Sequence, residues 1–282
     1  MDRKTICFCN SNRPWGGGEK WHFDFALLTR DKGYAVFAVT NAESAMADKL
    51  EREPGITVLR RRIGNLSFLN PFTLWRLFRF FRDNGIQTVV MALPSDVKAC
   101  GLAARLAGVR EIVFRRGIGV PTRNTRLNRF LFRRVLTRLI CNSENTRRTV
   151  LQNNPDLIPP GRTFLVHCGF DVAGFDALPA APLVERRPGE TLIGTAGRLT
   201  RQKGQRFLIE AARMLKDRGL NFRVLIAGEG ELSAELKELA KRLDVEDRVL
   251  FLGFVSDMKG FHASLDIFAL PSLWEGFCYA QV

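Results

Sequence analysis

The 282-residue chain has no apolar run long enough to cross a bilayer, and its N-terminus, MDRKTICFCN, enters strand-like sequence without the apolar region of a signal peptide. No CxxC pair occurs among the six cysteines (Cys7, Cys9, Cys100, Cys141, Cys168 and Cys278), and no histidine stands at ligand spacing beside them. That argues against a cysteine-based zinc site or a disulfide scaffold, and for reduced, mostly buried thiols in a cytosolic protein. Repeats and low-complexity stretches are missing, and so is the G-x-x-x-x-G-K-[ST] spacing of a P-loop. Acidic residues are scarce in one half only. Up to Asp176 the chain holds 28 Lys and Arg against 15 Asp and Glu; from Ala177 the count is 15 against 14. The net charge of +14 therefore sits almost wholly on the first half, as expected where that half faces a negatively charged partner.

What is present is alternation. TICFCN, AVFAVT, ITVLRR, TVVMAL, EIVFR and LICNS read as buried strands separated by helical stretches. The first helix, over 19–31, places Trp21, Phe25 and Leu28 on one face, and Asn70-Pro71 opens another as cap and first turn. The stretch FDVAGFDALPAAPLVERRPGE breaks the pattern with three prolines. A second alternation follows: strands TLIGTAG, FRVLIAG, RVLFLG and DIFAL, with helices over 203–218 and 231–243. Strands alternating with helices predict parallel sheets covered on both faces. The expected organisation is an α/β protein with a Rossmann-like domain over 1–172, a linker over 173–190, and a second, incomplete doubly wound domain over 191–282. Ligands of such sheets bind at the carboxyl ends of the strands, so the expected site is a cleft between the domains.

Three glycine loops follow strands. GRLTRQKG places Arg198 and Lys203 near a helix start, where free N–H groups and the helix dipole favour an anion; a solvated basic helix start fits the spacing equally well. AGEGE, with Gly228 and Gly230, and GGGE, with Gly17 and Gly18, let backbone approach a ligand, although flexible turns look the same. Glu275, beside Gly276, is uninformative alone.

In this order and at these separations, GRLTRQKG, AGEGE, FLGFVSD and DIFALPSLWEGF resemble the donor-binding domain of retaining glycosyltransferases of family four, with the GT-B fold. GGGEKW, LICNSENTRRTVL and VHCGFD look like motifs of that family's first domain, so the resemblance covers essentially the whole chain. It implies transfer of a sugar, with retention of configuration, from a nucleotide-diphosphate donor to a glycan or glycolipid acceptor such as a lipopolysaccharide core. Arg198 and Lys203 match the pair that neutralises the donor diphosphate, whose negative charge grows as the glycosidic bond breaks. Glu275 matches the first of two spaced glutamates and would bind hydroxyls of the donor sugar. Phe254 and Val255 match the segment whose backbone reads the nucleobase. Gly276 and Phe277 would lie against the donor, and Gly17 and Gly18 match the loop near the phosphates. No D-x-D metal motif is found, and the resemblance requires neither metal nor cofactor beyond the nucleotide-sugar co-substrate.

Three positions depart from the family: Arg116 stands where many members have His, Cys168 where Asn is common, and Cys278 where Gly is common. No acid or base is therefore named. Architecture is shared with sugar-nucleotide 2-epimerases, whose carboxylates have no clear match here. Net charge alone would also suit a nucleic-acid-binding module, but the donor-type motifs lie in the nearly neutral half and aromatic–basic interleaving is weak, so nucleic acid is not an expected partner. The segment 123–138 carries six arginines and no acid. On a helix Arg126, Arg129 and Arg133 share a face opposite Leu127, Leu131, Val135 and Leu139. Such a face is either simply solvated or docks on the anionic inner face of a membrane, giving a cytoplasmic, peripheral expectation. The second family glutamate falls one position past Val282, and a domain of typical size needs on the order of 60–100 further residues. The expectation is a C-terminally truncated chain that transfers sugar poorly or not at all.

Overall fold

The computed structural model describes residues 4–278 and 280. It divides into two compact units, Met1–Cys168 and Gly169–Val282. The terminal stretch FCYAQV, whose sequence reads as the start of a helix, has Tyr279, Gln281 and Val282 outside the described residues.

The first unit holds seven strands: β1 (Thr5–Asn10), β2 (Ala35–Thr40), β3 (Ile56–Arg60), β4 (Thr88–Met91), β5 (Glu111–Arg116), β6 (Arg138–Cys141) and β7 (Thr163–Leu165). They form one sheet in the order β3-β2-β1-β4-β5-β6-β7, with every pair parallel. Both faces are covered, which is why the strands read as near-continuous apolar runs. One face packs Leu77 and Phe81 from helix Pro71–Asp83, Val97 and Ala103 from the helical run 94–106, and Leu131 and Val135 from the run 126–135. The other packs Ala26 of helix Gly17–Asp31 and Met46 and Leu50 of helix Ala45–Leu50 on Phe8, Val36 and Ala38.

Local chemistry sets the helix starts. Asn70 accepts from the N–H of Phe72 (3.0 Å) and Thr73 (3.2 Å), with Pro71 in the first turn, as read from the sequence. The first helix begins at Gly17, two residues earlier than expected. Its buried stripe is Glu19, His22 and Ala26, while Leu28 is 49% exposed. Apolar periodicity pointed to the Trp21 face because Glu19 and His22 do not register as core residues; Trp21 and Phe25 instead stack on each other at 4.0 Å along the flank. The arginine-rich helix, by contrast, is shorter than 123–138. It runs over 126–135, and Arg138 and Leu139 belong to β6, where residue spacing no longer follows a helix. Arg126, Arg129 and Arg133 are exposed, Arg133 donating to the Asp156 carbonyl at 2.9 Å.

The second unit holds β8 (Thr191–Ala196), β9 (Phe222–Ala227), β10 (Val249–Gly253) and β11 (Ile267–Phe268) in the parallel order β10-β9-β8-β11. Helices Gln205–Asp217 and Ser233–Arg242 supply Leu208, Ile209, Ala212, Leu236 and Leu239 to its core. Residues 173–190, expected as a linker, are part of this unit's body. Leu183 N–H donates to Ser264 Oγ at 2.8 Å, and the nearly buried Glu190 carboxylate takes both Arg223 Nε (2.6 Å) and a second Arg223 nitrogen (2.7 Å). Prolines and weak periodicity mark irregular backbone; they do not distinguish a tether from a packed segment. Five of the six cysteines are buried and Cys168 half-buried, as expected. Among the described residues no helix is long and apolar enough to cross a membrane.

Candidate functional site

In each sheet strand order reverses beside the first strand, between β1 and β4 in the first unit and between β8 and β11 in the second. Such reversals open a crevice at the carboxyl ends, where ligands of open α/β sheets bind.

At the second reversal, the loop leaving β8 carries Gly197, Arg198 and Lys203, and the loop leaving β11 carries Glu275 and Gly276. Lys203 Nζ donates to Glu275 Oε1 at 2.6 Å, with side chains only 17% and 21% exposed. The lysine stem lies across Gly197, whose φ of 152° leaves room for it. Arg198 is half-buried, and its guanidinium has no hydrogen-bond or ion-pair partner among the described residues. Its carbonyl accepts from Gln205 Nε2 at 3.0 Å, fixing the turn into helix Gln205–Asp217. Gln202 Nε2 donates to the Trp274 carbonyl (3.0 Å), and the Leu273 N–H donates to the Gln202 carbonyl (2.8 Å). The two loops are thus stitched together, with Lys203 anchored on Glu275 and Arg198 on the same loop.

Gly228 and Gly230 leave β9 in the same region. A Cβ on Gly228 would overlap the Gly197 carbonyl, one on Gly230 the backbone of Leu199, and one on Gly204 the carbonyl of Pro271. These glycines let three loops nest at backbone contact, a tightness compatible with the expected approach of Gly228 and Gly230 to a ligand. Phe254 follows β10 and is 61% exposed, whereas Val255 packs with Leu225 and Phe261. Gly276 and Phe277 are half-buried.

The first reversal has a different character. Asp96, fully buried, accepts from the N–H of Ser11 (3.2 Å) and of Leu93 (3.0 Å), tying the β1 exit to the β4 exit. Burial pushes its carboxyl up to about 7 against the pull of these hydrogen bonds. Glu19 accepts from Asn10 (3.4 Å) and Asn12 (2.9 Å). Gly17 and Gly18 open the first helix, and a Cβ on Gly18 would meet open space. Beneath them His22 is wholly buried with neither ring nitrogen partnered among the described residues; burial, with the nearby Arg115 guanidinium, lowers it to about 3. Arg115 lies 4.2 Å over the Trp21 ring and donates to Cys168 Sγ at 3.2 Å. Arg116 turns to the opposite face, where burial pulls its guanidinium below the ordinary value; its Nη2 donates to the Val120 carbonyl at 3.2 Å. Sequence reading missed Asp96, Glu19 and His22. Each is a single polar residue in an amphipathic segment, where only packing distinguishes burial from exposure. Among the described residues no cluster of His, Cys, Asp and Glu could hold a metal ion.

Comparison with known proteins follows this division. Residues 15–173 match the family model "Glycosyltransferase Family 4", and residues 184–282 match "Glycosyl transferases group 1". EpsF of Bacillus subtilis, described as a glycosyltransferase, is 30% identical over 230 residues, 73% of this chain and 57% of EpsF. A Campylobacter jejuni N-acetylgalactosaminyltransferase acting on a diphospho-undecaprenol-linked sugar is 28% identical over 227 residues, 75% of this chain and 59% of that protein. The chain thus spans less than two thirds of these relatives. Among solved structures, Anabaena HepE in complex with UDP and glucose superposes with TM-score 0.76 at 20% identity, over 96% of this chain and 74% of that one. WaaG, a glycosyltransferase involved in lipopolysaccharide biosynthesis, superposes with TM-score 0.70 at 15% identity, over 96% and 76%. The structural likeness confirms two parallel-sheet units of the GT-B fold, and the match over most of the first unit shows that the chain belongs to glycosyltransferase family 4.

Proposed function

We propose that the second unit binds the diphosphate of a nucleotide-sugar donor on Arg198 and Lys203, and that the family reaction here is transfer with retention of configuration. The observation that carries this reading is the convergence of Arg198, Lys203 and Glu275 at the second sheet's reversal. As the bond between sugar and diphosphate breaks, charge accumulates on the leaving group, and Lys203, held beforehand by Glu275, stabilises it together with Arg198. Glu275 holds Lys203 in place before the donor arrives and then accepts hydrogen bonds from donor-sugar hydroxyls. The backbone at Phe254 and Val255 receives the nucleobase, and Gly276 and Phe277 lie against the donor. The relatives' printed activities support an acceptor that is a lipid-linked or cell-surface glycan. With such an acceptor the enzyme works at the cytoplasmic leaflet, and the exposed Arg126, Arg129 and Arg133 add attraction to anionic lipid.

Calorimetry with a panel of nucleoside diphosphates tests the donor assignment. Arg198→Ala and Lys203→Ala should each cost roughly 1.5–3 kcal/mol of binding free energy, as expected for one charge-assisted contact. Unchanged affinity in both variants removes the phosphate assignment. Donor hydrolysis across nucleotide sugars then identifies base and sugar.

A further inference from the structure

The segment 60–82 carries six arginines and no acid, and the helix within it is apolar on both sides. Its inner face packs Leu77 and Phe81 into the core. Its outer face presents Phe72, Trp75, Arg76 and Arg79, spaced as one stripe of a helix, with Phe72 58% and Trp75 54% exposed. Immediately before its cap, the turn Ser67–Leu69 and its flank expose Leu66 (72%) and Leu69 (66%). The rings stack at 6.1 Å and are framed by guanidinium groups: Arg61 and Arg76 lie 5.8 and 5.9 Å from Phe72, and Arg79 lies 5.9 Å from Trp75. Arg61 Nε is shielded from solvent and has no hydrogen-bond partner among the described residues. Of these six arginines, Arg60 pairs with Glu51 (2.6 Å), Arg62 with Glu43 (2.6 Å) and Arg79 with Asp83 (3.1 Å), while Arg61, Arg76 and Arg82 have no carboxylate partner among the described residues.

We propose that this face, the turn 66–69 with the outer stripe of helix Pro71–Asp83, inserts into an anionic phospholipid leaflet. Exposed large aromatics and leucines cost free energy in water and gain it at the depth of the headgroups, where Trp and Phe sit and arginine heads stay with the phosphates. Charge selects the occupant: Arg61, Arg76 and Arg82, without a carboxylate partner among the described residues, complement a phosphate surface, and four exposed apolar side chains complement acyl chains, which a nucleic acid lacks. The neighbouring helical run 126–135, on the same side of the sheet, continues the character with exposed Phe130 beside Arg126 and Arg129. The apolar anchor is thus the face over 66–79, and it shares the arginines of the run 126–135 with the functional proposal. It rests on that proposal only for the presence of a lipid-linked acceptor.

The test is partition of the purified chain onto vesicles of phosphatidylcholine alone and with phosphatidylglycerol, at low and high salt, with brominated lipid as quencher of tryptophan. The expected result is binding to anionic vesicles that weakens but persists at high salt, with Trp75 quenched. Phe72→Ser with Trp75→Ser should lower partition about ten-fold or more. Leu66→Ser with Leu69→Ser, outside the helix, should lower it less while leaving circular dichroism unchanged. Arg76→Gln with Arg79→Gln should lower only the low-salt binding. Equal partition of the wild type and both apolar variants overturns the proposal, as does binding abolished by salt. Self-association or RNA binding lost in the same variants, without vesicle binding, would instead assign the face to a second copy or to nucleic acid. Lys203→Ala should bind vesicles like the wild type, so failure of the donor assignment and failure of the anchor are read separately.

Discussion

At the reversal between β1 and β4, Asp96 has no exposed surface and its oxygens are taken by the N–H groups of Ser11 and Leu93. At the reversal between β8 and β11, Arg198 is half-buried without a partner among the described residues, and Lys203 and Glu275 hold only each other. The same topological feature serves two ends. In the first unit buried polar groups are spent on joining strand exits, and their removal leaves orphaned donors. In the second unit the joining is done by glycines and backbone, which leaves the charged side chains free for the donor role proposed above.

Three measurements would sharpen or break this contrast, beginning with the largest effect. Asp96→Ala leaves two buried N–H groups without acceptors; at about 1–3 kcal/mol each the loss is roughly 2–6 kcal/mol. Urea unfolding followed by circular dichroism should show it in the transition of the first unit. A change below about 0.5 kcal/mol would mean that Asp96 is no structural tie.

The second effect concerns pH. His22 titrates at about 3 in the fold, below its ordinary 6.5, so the neutral ring is the folded form. Its contribution is fully present above pH 6.5 and is lost as pH falls toward 3. Asp96 acts oppositely: raised to about 7 from 3.8, it favours the fold at low pH and loses that contribution as pH rises between those values. Stability measured between pH 4 and about 6.5 in His22→Leu should therefore show a smaller rise with pH than in the wild type. Parallel curves would remove His22 from the account.

The smallest expected effect is on the second unit. Arg198→Ala should leave unfolding free energy within about 0.5 kcal/mol, as for a side chain with no hydrogen-bond or ion-pair partner among the described residues, even where nucleotide affinity falls. Destabilisation comparable to that of Asp96→Ala would make the two reversals alike and end the contrast.

Strand positions and the division into two units were legible because fully covered parallel strands are apolar throughout, as in TLIGTA and FRVLIA. Short β7 and β11 give three and two residues to the pattern, too few for periodicity to mark their limits. Of the candidate site, Lys203 and Glu275 could be named from motifs 72 positions apart, but their contact at 2.6 Å required the fold. The helix stripe of Glu19, His22 and Ala26 was illegible for a physical reason: a buried polar residue is spelled like an exposed one. Phe72 and Trp75 pose the reverse difficulty, since an exposed aromatic is spelled like a core residue.

The nested glycines also constrain how such a protein can change by descent. With Gly204, Gly228 and Gly230 each against a neighbouring loop's backbone, any inherited side chain there displaces two loops at once, so variants at these positions are removed before any change of specificity is tried. Phe254 is 61% exposed and bound by no such contact. Change in the second unit is therefore channelled toward the exit of β10, while the exits of β8 and β9 stay fixed.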